Sequence, residues 1–174
     1  MLYRFDGKEP AVGSGAFVSE TAQVIGDVVI GENSYIGHGA ILRGDYGRIE
    51  IGPGTAVEEG VIIHAPPKET ASIGKSVTIG HGAVIHSATV GDFAVIGMGA
   101  ILSIRSEVGE WSIVGEGSVV KLRQQIPEGV VAVGNPAKAV RETSEQDKEF
   151  WLYGKELYVN LAAKYLAEGM EPVG

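Results

Sequence analysis

The chain has 174 residues, 26 of them glycine, with no cysteine, 44% apolar residues and a formal net charge of −8. That length holds one domain with a sizeable core, and the lack of cysteine excludes disulfides, thiolate metal sites and a cysteine nucleophile. The acidity argues against nucleic acid or an anionic membrane as a main partner, because both would repel the chain.

The opening residues Met1 to Lys8 lack the apolar core of a secretory signal. No later run approaches the roughly 20 apolar residues of a membrane span, so a soluble cytoplasmic protein is expected. Aliphatic residues then recur every six positions at Val12, Val18, Val24, Ile30, Ile36 and Leu42. The period resumes at Ile51, Val57 and Ile63, and again at Ile73, Ile79 and Ile85. It finishes with Val90, Ile96, Leu102, Val108, Val114, Val120 and Ile126. Six matches neither a helix nor a simply alternating strand. It suits a triangular all-β solenoid in which each hexapeptide makes one short strand and one corner. The aliphatic residue points inward, and glycine tolerates the tight turn. This parallel β-helix occupies residues 1–142.

The phase breaks three times. Leu42 to Ile51 is three residues too long, Ile63 to Ile73 four too long, and Ile85 to Val90 one too short. The breaks cluster around Arg43-Gly44-Asp45, His64 and His86, and loops that interrupt a solenoid tend to build a site. Beyond the repeats, Gly134-Asn135-Pro136-Ala137-Lys138 reads as a turn. Residues 143–174 carry a helix packed on the solenoid within the same domain. It starts near Ser144, with Asp147 completing a capping box. Phe150, Gly154, Leu157, Tyr158, Leu161 and Tyr165 give it an apolar stripe to about Ala167.

Three of the four histidines fall where the repeat arithmetic is sharp. His64 follows core Ile63 and His86 follows core Ile85. Once the insertion is allowed for, the two lie one coil apart in one column, with backbones about 4.8 Å apart. Arg43 precedes them in the same column. His81 lies one hexapeptide earlier than His86, on another face, and meets the pair only if a neighbouring copy supplies it. Three copies closing by cyclic symmetry would make three identical sites at their interfaces. Three histidines with one open position is the arrangement of a catalytic metal. His38 occupies the same register as His81, so a histidine in that slot is not by itself evidence of a ligand.

The stretches Arg43-Gly44-Asp45, Glu58-Glu59-Gly60-Val61-Ile62-Ile63-His64, His81-Gly82-Ala83-Val84-Ile85-His86, Ile96-Gly97-Met98-Gly99-Ala100 and Tyr158-Val159-Asn160 resemble the γ-class carbonic anhydrases and their hexapeptide relatives. Arg43-Gly44-Asp45-Tyr46-Gly47-Arg48 also looks like the phenylacetate-degradation and ferripyochelin-binding branch. The resemblance implies a left-handed coil and a homotrimer. It implies zinc, or iron or cobalt, held by His64, His81 and His86, and a small-molecule substrate: metal-bound hydroxide would attack CO2 to give bicarbonate. It makes Arg43 and Asp45 interface and orienting residues; Asp45 is in any case close enough to pair with an arginine, and that pair is expected across the interface. Glu58 would stand beside the metal water, with Tyr158 and Asn160 lining the site. Glu58 stands where the family has glutamine, and Tyr46 and Pro67 stand near its proton-shuttling glutamates, leaving Glu69 as a substitute. The competing readings are an acetyl-CoA-dependent hexapeptide acyltransferase, a metal-dependent thioesterase and a non-catalytic trimeric scaffold.

Overall fold

A computed structural model describes residues 1–173. Short parallel strands stack into a three-faced β-helix, and one helix, Glu145–Glu168, lies against it. On the first face Leu42, Ile63, Ile85, Leu102 and Val120 stand in register. On the second, Val57, Ile79, Ile96 and Val114 do so, and on the third, Ile51, Ile73, Val90, Val108 and Ile126. All of these side chains are buried inside the prism, and each contributes about 1.5–3 kcal/mol by leaving water. The six-residue period is therefore the packing repeat of a single continuous core. The earliest repeat position departs from it: Val12 is exposed, because its strand Ala11–Val12 pairs on one side only, with Val29–Ile30.

Each phase break has a structural counterpart. The extra residues after Leu42 do not form a loop; they extend one strand from Ile41 to Ile51 that turns the corner between two faces. It runs beside another long strand, Gln23–Ile30, and the pairing slips between Gly26 and Val28 so that Val28 meets Ile49. The extra residues after Ile63 do loop out, at residues 65–69 between Ile62–His64 and Thr70–Ile73. The short repeat after Ile85 closes because Ser87 takes a left-handed backbone (φ 53°) directly after His86. At Gly80, just before His81, a Cβ would sit 2.8 Å from the Met98 backbone nitrogen of the next coil, so the close stacking of coils there requires glycine.

The solenoid ends in an antiparallel hairpin, Val130–Val133 with Lys138–Glu142, around the expected turn. Ser144 caps the helix: its hydroxyl accepts from the Asp147 backbone while the Asp147 carboxylate accepts from the Ser144 backbone. This reciprocal pair satisfies two donors that helix geometry leaves free. The docked face differs from the apolar stripe expected. Phe150 and Leu157 are exposed, whereas Lys155 and Ala162 are buried and Tyr158, Leu161 and Tyr165 pack on Tyr35, Ala56 and Phe17 of the second face. Tyrosine rings stack on that sheet and fix the rotation of the helix, leaving the largest hydrophobes outside. No helix among the described residues is long and apolar enough to cross a membrane.

Candidate metal centre

Strand register places Arg43, His64 and His86 opposite one another on successive coils of the first face. The two imidazoles stack with centroids 5.1 Å apart and planes 23° from parallel. This spacing is the inter-strand distance carried out to the side chains. His64 Nε2 is buried and makes no hydrogen bond, with Asp45 Oδ1 3.5 Å away. Burial, then the Arg43 and His86 charges, holds His64 below the usual histidine range, which keeps it neutral, the form that binds metals. A buried ring nitrogen without a partner costs free energy, and a divalent cation is one occupant that would satisfy it. The donor set fits such an ion.

Within the single chain Arg43 donates to Asp45 Oδ2 at 2.6 Å. The two lie on one strand two residues apart, so both side chains leave the same face. Partial burial opposes the ionisation of Asp45, but the hydrogen bond and charge of Arg43 prevail and hold its carboxyl below the usual range.

His81 stands apart, at the corner after the strand Thr78–Ile79 of the second face. Among the described residues of one chain, no three His, Asp or Glu side chains converge on a common point. Within one chain, His81 and the His64–His86 pair therefore do not share an ion. His81 is half exposed and gripped on both nitrogens: Nε2 lies 3.1 Å from Glu58 Oε2, and Nδ1 lies 2.8 Å from Glu59 Oε2. The His81 backbone N–H also donates to Glu58 Oε2 at 3.1 Å.

Glu58 is buried, at 6% exposure. Burial raises its pKa, against the pull of the His81 charge and the Tyr158 hydroxyl. Burial, then the Glu58 carboxylate, raises Tyr158 in turn. One helical turn before Tyr158, buried Lys155 donates to Thr78 Oγ1 (3.1 Å) and the Ala94 carbonyl (3.2 Å). Burial depresses its ammonium to about 7, against the pull of Glu58.

The remaining sequence candidates lie elsewhere. Asn160 follows Tyr158 by two residues, about 200° around a helix, and is exposed. Tyr46 is 66% exposed. Glu69 is engaged by Arg105, which holds its carboxyl below the usual range. His38, in the slot of His81, binds Ser19 Oγ at 2.6 Å through Nδ1 and faces the Tyr165 hydroxyl at 3.3 Å through Nε2, so it fastens the helix to the coil. Sequence reasoning gave no role to Glu59, Tyr35 or Lys155. The column arithmetic that aligned Arg43, His64 and His86 could have found Glu59, which sits between His38 and His81 on successive coils. Nothing in the sequence distinguishes Lys155 from a surface lysine.

No protein-family model matches the chain. It is 38% identical over 172 residues to gamma carbonic anhydrase 1, mitochondrial, of Arabidopsis thaliana, covering 95% of this chain but only 62% of that protein. Over 147 residues it is 44% identical to a carbonic anhydrase of Geobacillus kaustophilus, covering 84% of this chain and 81% of that one. It is also 35% identical over 162 residues to the carnitine operon protein CaiE of Escherichia coli, covering 93% and 83% respectively. Among solved structures, a hexapeptide transferase family protein from Anaplasma phagocytophilum superposes with a TM-score of 0.91 at 36% identity, covering 95% of this chain and 98% of that one. A candidate acetyltransferase from Bacillus cereus gives 0.94 at 32%, covering 96% and 97%.

Proposed function

The chain belongs to the γ-carbonic anhydrase-like hexapeptide-repeat family, whose fold is the left-handed parallel β-helix, and from that premise we propose that it is a metal-dependent carbonic anhydrase acting as a homotrimer. His64 and His86 of one copy and His81 of the next would hold the ion, zinc being the first expectation for three neutral imidazoles. The observation that carries the reading is the stacked His64–His86 pair with its buried, partnerless Nε2.

A divalent ion with one open position brings the pKa of water toward neutrality and so supplies a nucleophile for CO2, giving bicarbonate. The chain's own groups do the rest. Arg43, braced by Asp45, presents positive charge beside the pair, where a bicarbonate anion would be held. Glu58, buried with its pKa raised, would take a proton on the His81 side, and Tyr158 would steady that carboxylate. Ile62, Val84 and Ile101 form an apolar outward ladder on the face that carries the pair. They would exclude water and cover the joint between copies.

Metal content per chain, measured together with CO2 hydration in the wild type and in Glu58→Gln, tests the reading. One ion per chain and hydration above buffer support it. Protein purified without chelator that holds no ion contradicts it. A second reading, an acyltransferase using acetyl-CoA, draws on the transferase descriptions of the two structural neighbours. Heat of CoA binding in calorimetry would favour it, and none would remove it.

A further inference from the structure

We propose that Glu59 is a positioning residue for the metal ligand His81, and that Tyr35 holds Glu59 in place, so that the docked helix and the metal affinity are linked through a Tyr35–Glu59–His81 chain. The inference rests on the metal-centre reading above and adds residues that this reading does not use.

Three observations carry it. First, Glu59 Oε2 lies 2.8 Å from His81 Nδ1. A carboxylate at that distance accepts the Nδ1 proton, which fixes the tautomer and leaves the lone pair on Nε2, the nitrogen 3.1 Å from Glu58 Oε2. Second, the other Glu59 oxygen is committed: Oε1 accepts from the Tyr35 hydroxyl at 2.7 Å. With both oxygens engaged, the carboxylate cannot swing, and neither can the ring it orients. Third, Tyr35 is 2% exposed and packed among Phe17, Tyr158 and Tyr165, with ring centroids 5.5, 5.2 and 6.3 Å away. Tyr158 and Tyr165 belong to the helix, so helix docking sets the Tyr35 position.

His38 provides an internal contrast on the same column. Its Nδ1 is taken by Ser19 and its Nε2 faces Tyr165, so neither nitrogen is left for an outside ligand. At His81 the Nδ1 partner is a carboxylate, which can only accept and so keeps the proton on Nδ1; Nε2, 3.1 Å from Glu58 Oε2, is the nitrogen that would bind an ion in exchange for that contact. His81 is half exposed at a corner, without the stacking partner that His64 and His86 give each other, and so depends on such an anchor.

The test is Co2+ affinity by chelator competition, with the visible absorption of the bound cobalt as a second readout. The proteins compared are wild type, Glu59→Leu, Glu59→Gln and Tyr35→Phe, with far-ultraviolet circular dichroism confirming the fold of each. Loss of an outer-shell partner typically costs about 10–100-fold in metal affinity. Glu59→Leu should show a loss of that size. Glu59→Gln, whose amide oxygen still accepts the Nδ1 proton, should recover part of it and keep the cobalt spectrum closer to wild type. Tyr35→Phe, which keeps the aromatic cluster, should lose a smaller factor. Wild-type affinity in folded Glu59→Leu, or equal losses in the Leu and Gln variants, overturns the positioning role and leaves the metal centre standing. A wild-type protein that binds no cobalt overturns both.

Discussion

The two halves of the candidate centre are built in opposite ways. On the first face, two imidazoles are aligned by backbone register alone, one coil apart, and one of their nitrogens is buried without a hydrogen bond. On the second face, a single imidazole at a corner is held by carboxylates at both nitrogens, and Glu59 is tied through Tyr35 to the tyrosines of the helix. A solenoid fixes the spacing of a stacked pair through its pitch and needs no further support there. A lone side chain at a corner has no such constraint, so its orientation falls to the surrounding network. The pair supplies unmet donor capacity, and the lone ring supplies direction.

Changes to the pair side should have the largest effects. His86→Ala should reduce bound metal from one per chain to near zero while the coil remains folded; elemental analysis beside circular dichroism checks this. Next in size, Ile101→Glu places a charge in the exposed apolar ladder beside His86, where Ile62 and Ile101 are 40% and 42% exposed. Burying an unpaired carboxylate costs about 3–5 kcal/mol, so copies should associate at least about 100-fold more weakly, with metal lost in parallel. Light scattering at several concentrations reads the association directly. A monomeric variant that keeps its metal would break the contrast between the halves.

Changes on the networked side should be graded. Glu58→Gln removes a proton acceptor while keeping the shape of the side chain. CO2 hydration should fall about 100-fold, the low end of general-base effects, with metal content unchanged in the same preparation. The smallest effect concerns stability. Folding depresses Lys155 from its ordinary value of 10.5 to about 7. Between those pH values the unfolded chain binds the extra proton, so stability rises as pH increases from 7 toward 10.5 and is penalised below 7. Thermal melts of the wild type should climb across that window. Lys155→Met should flatten the climb; an unchanged slope would show that another group produces it.

Most of the fold was legible because a six-residue core repeat admits few alternatives. Adding the insertions to the period aligned Arg43, His64 and His86, and the register agrees. Handedness was not legible, since spacing is identical in a coil of either hand, and it came from family resemblance. The docked helix face was misread because Phe150 and Leu157 resemble core residues in isolation. What selects the buried face is Tyr165 stacked on Phe17 and Tyr158 packed on Tyr35, with the length of Lys155 reaching Thr78 and Ala94. The in-chain contact of Arg43 with Asp45 was not legible, because sequence does not reveal that Ile41–Ile51 continues as one strand, which sets both side chains on the same face.

The claim that two imidazoles of one copy meet one from its neighbour is tested most directly by complementation. His81→Ala and His86→Ala are each purified alone and also co-expressed in equal amounts, and bound metal is measured in all three preparations. Each variant alone should be metal-free. The mixture should regain about a quarter of the wild-type content, because in a cyclic assembly about one interface in four then joins an intact pair to an intact His81. A mixture as empty as its parents, or a His81→Ala protein that keeps its full complement of metal, would contradict the account.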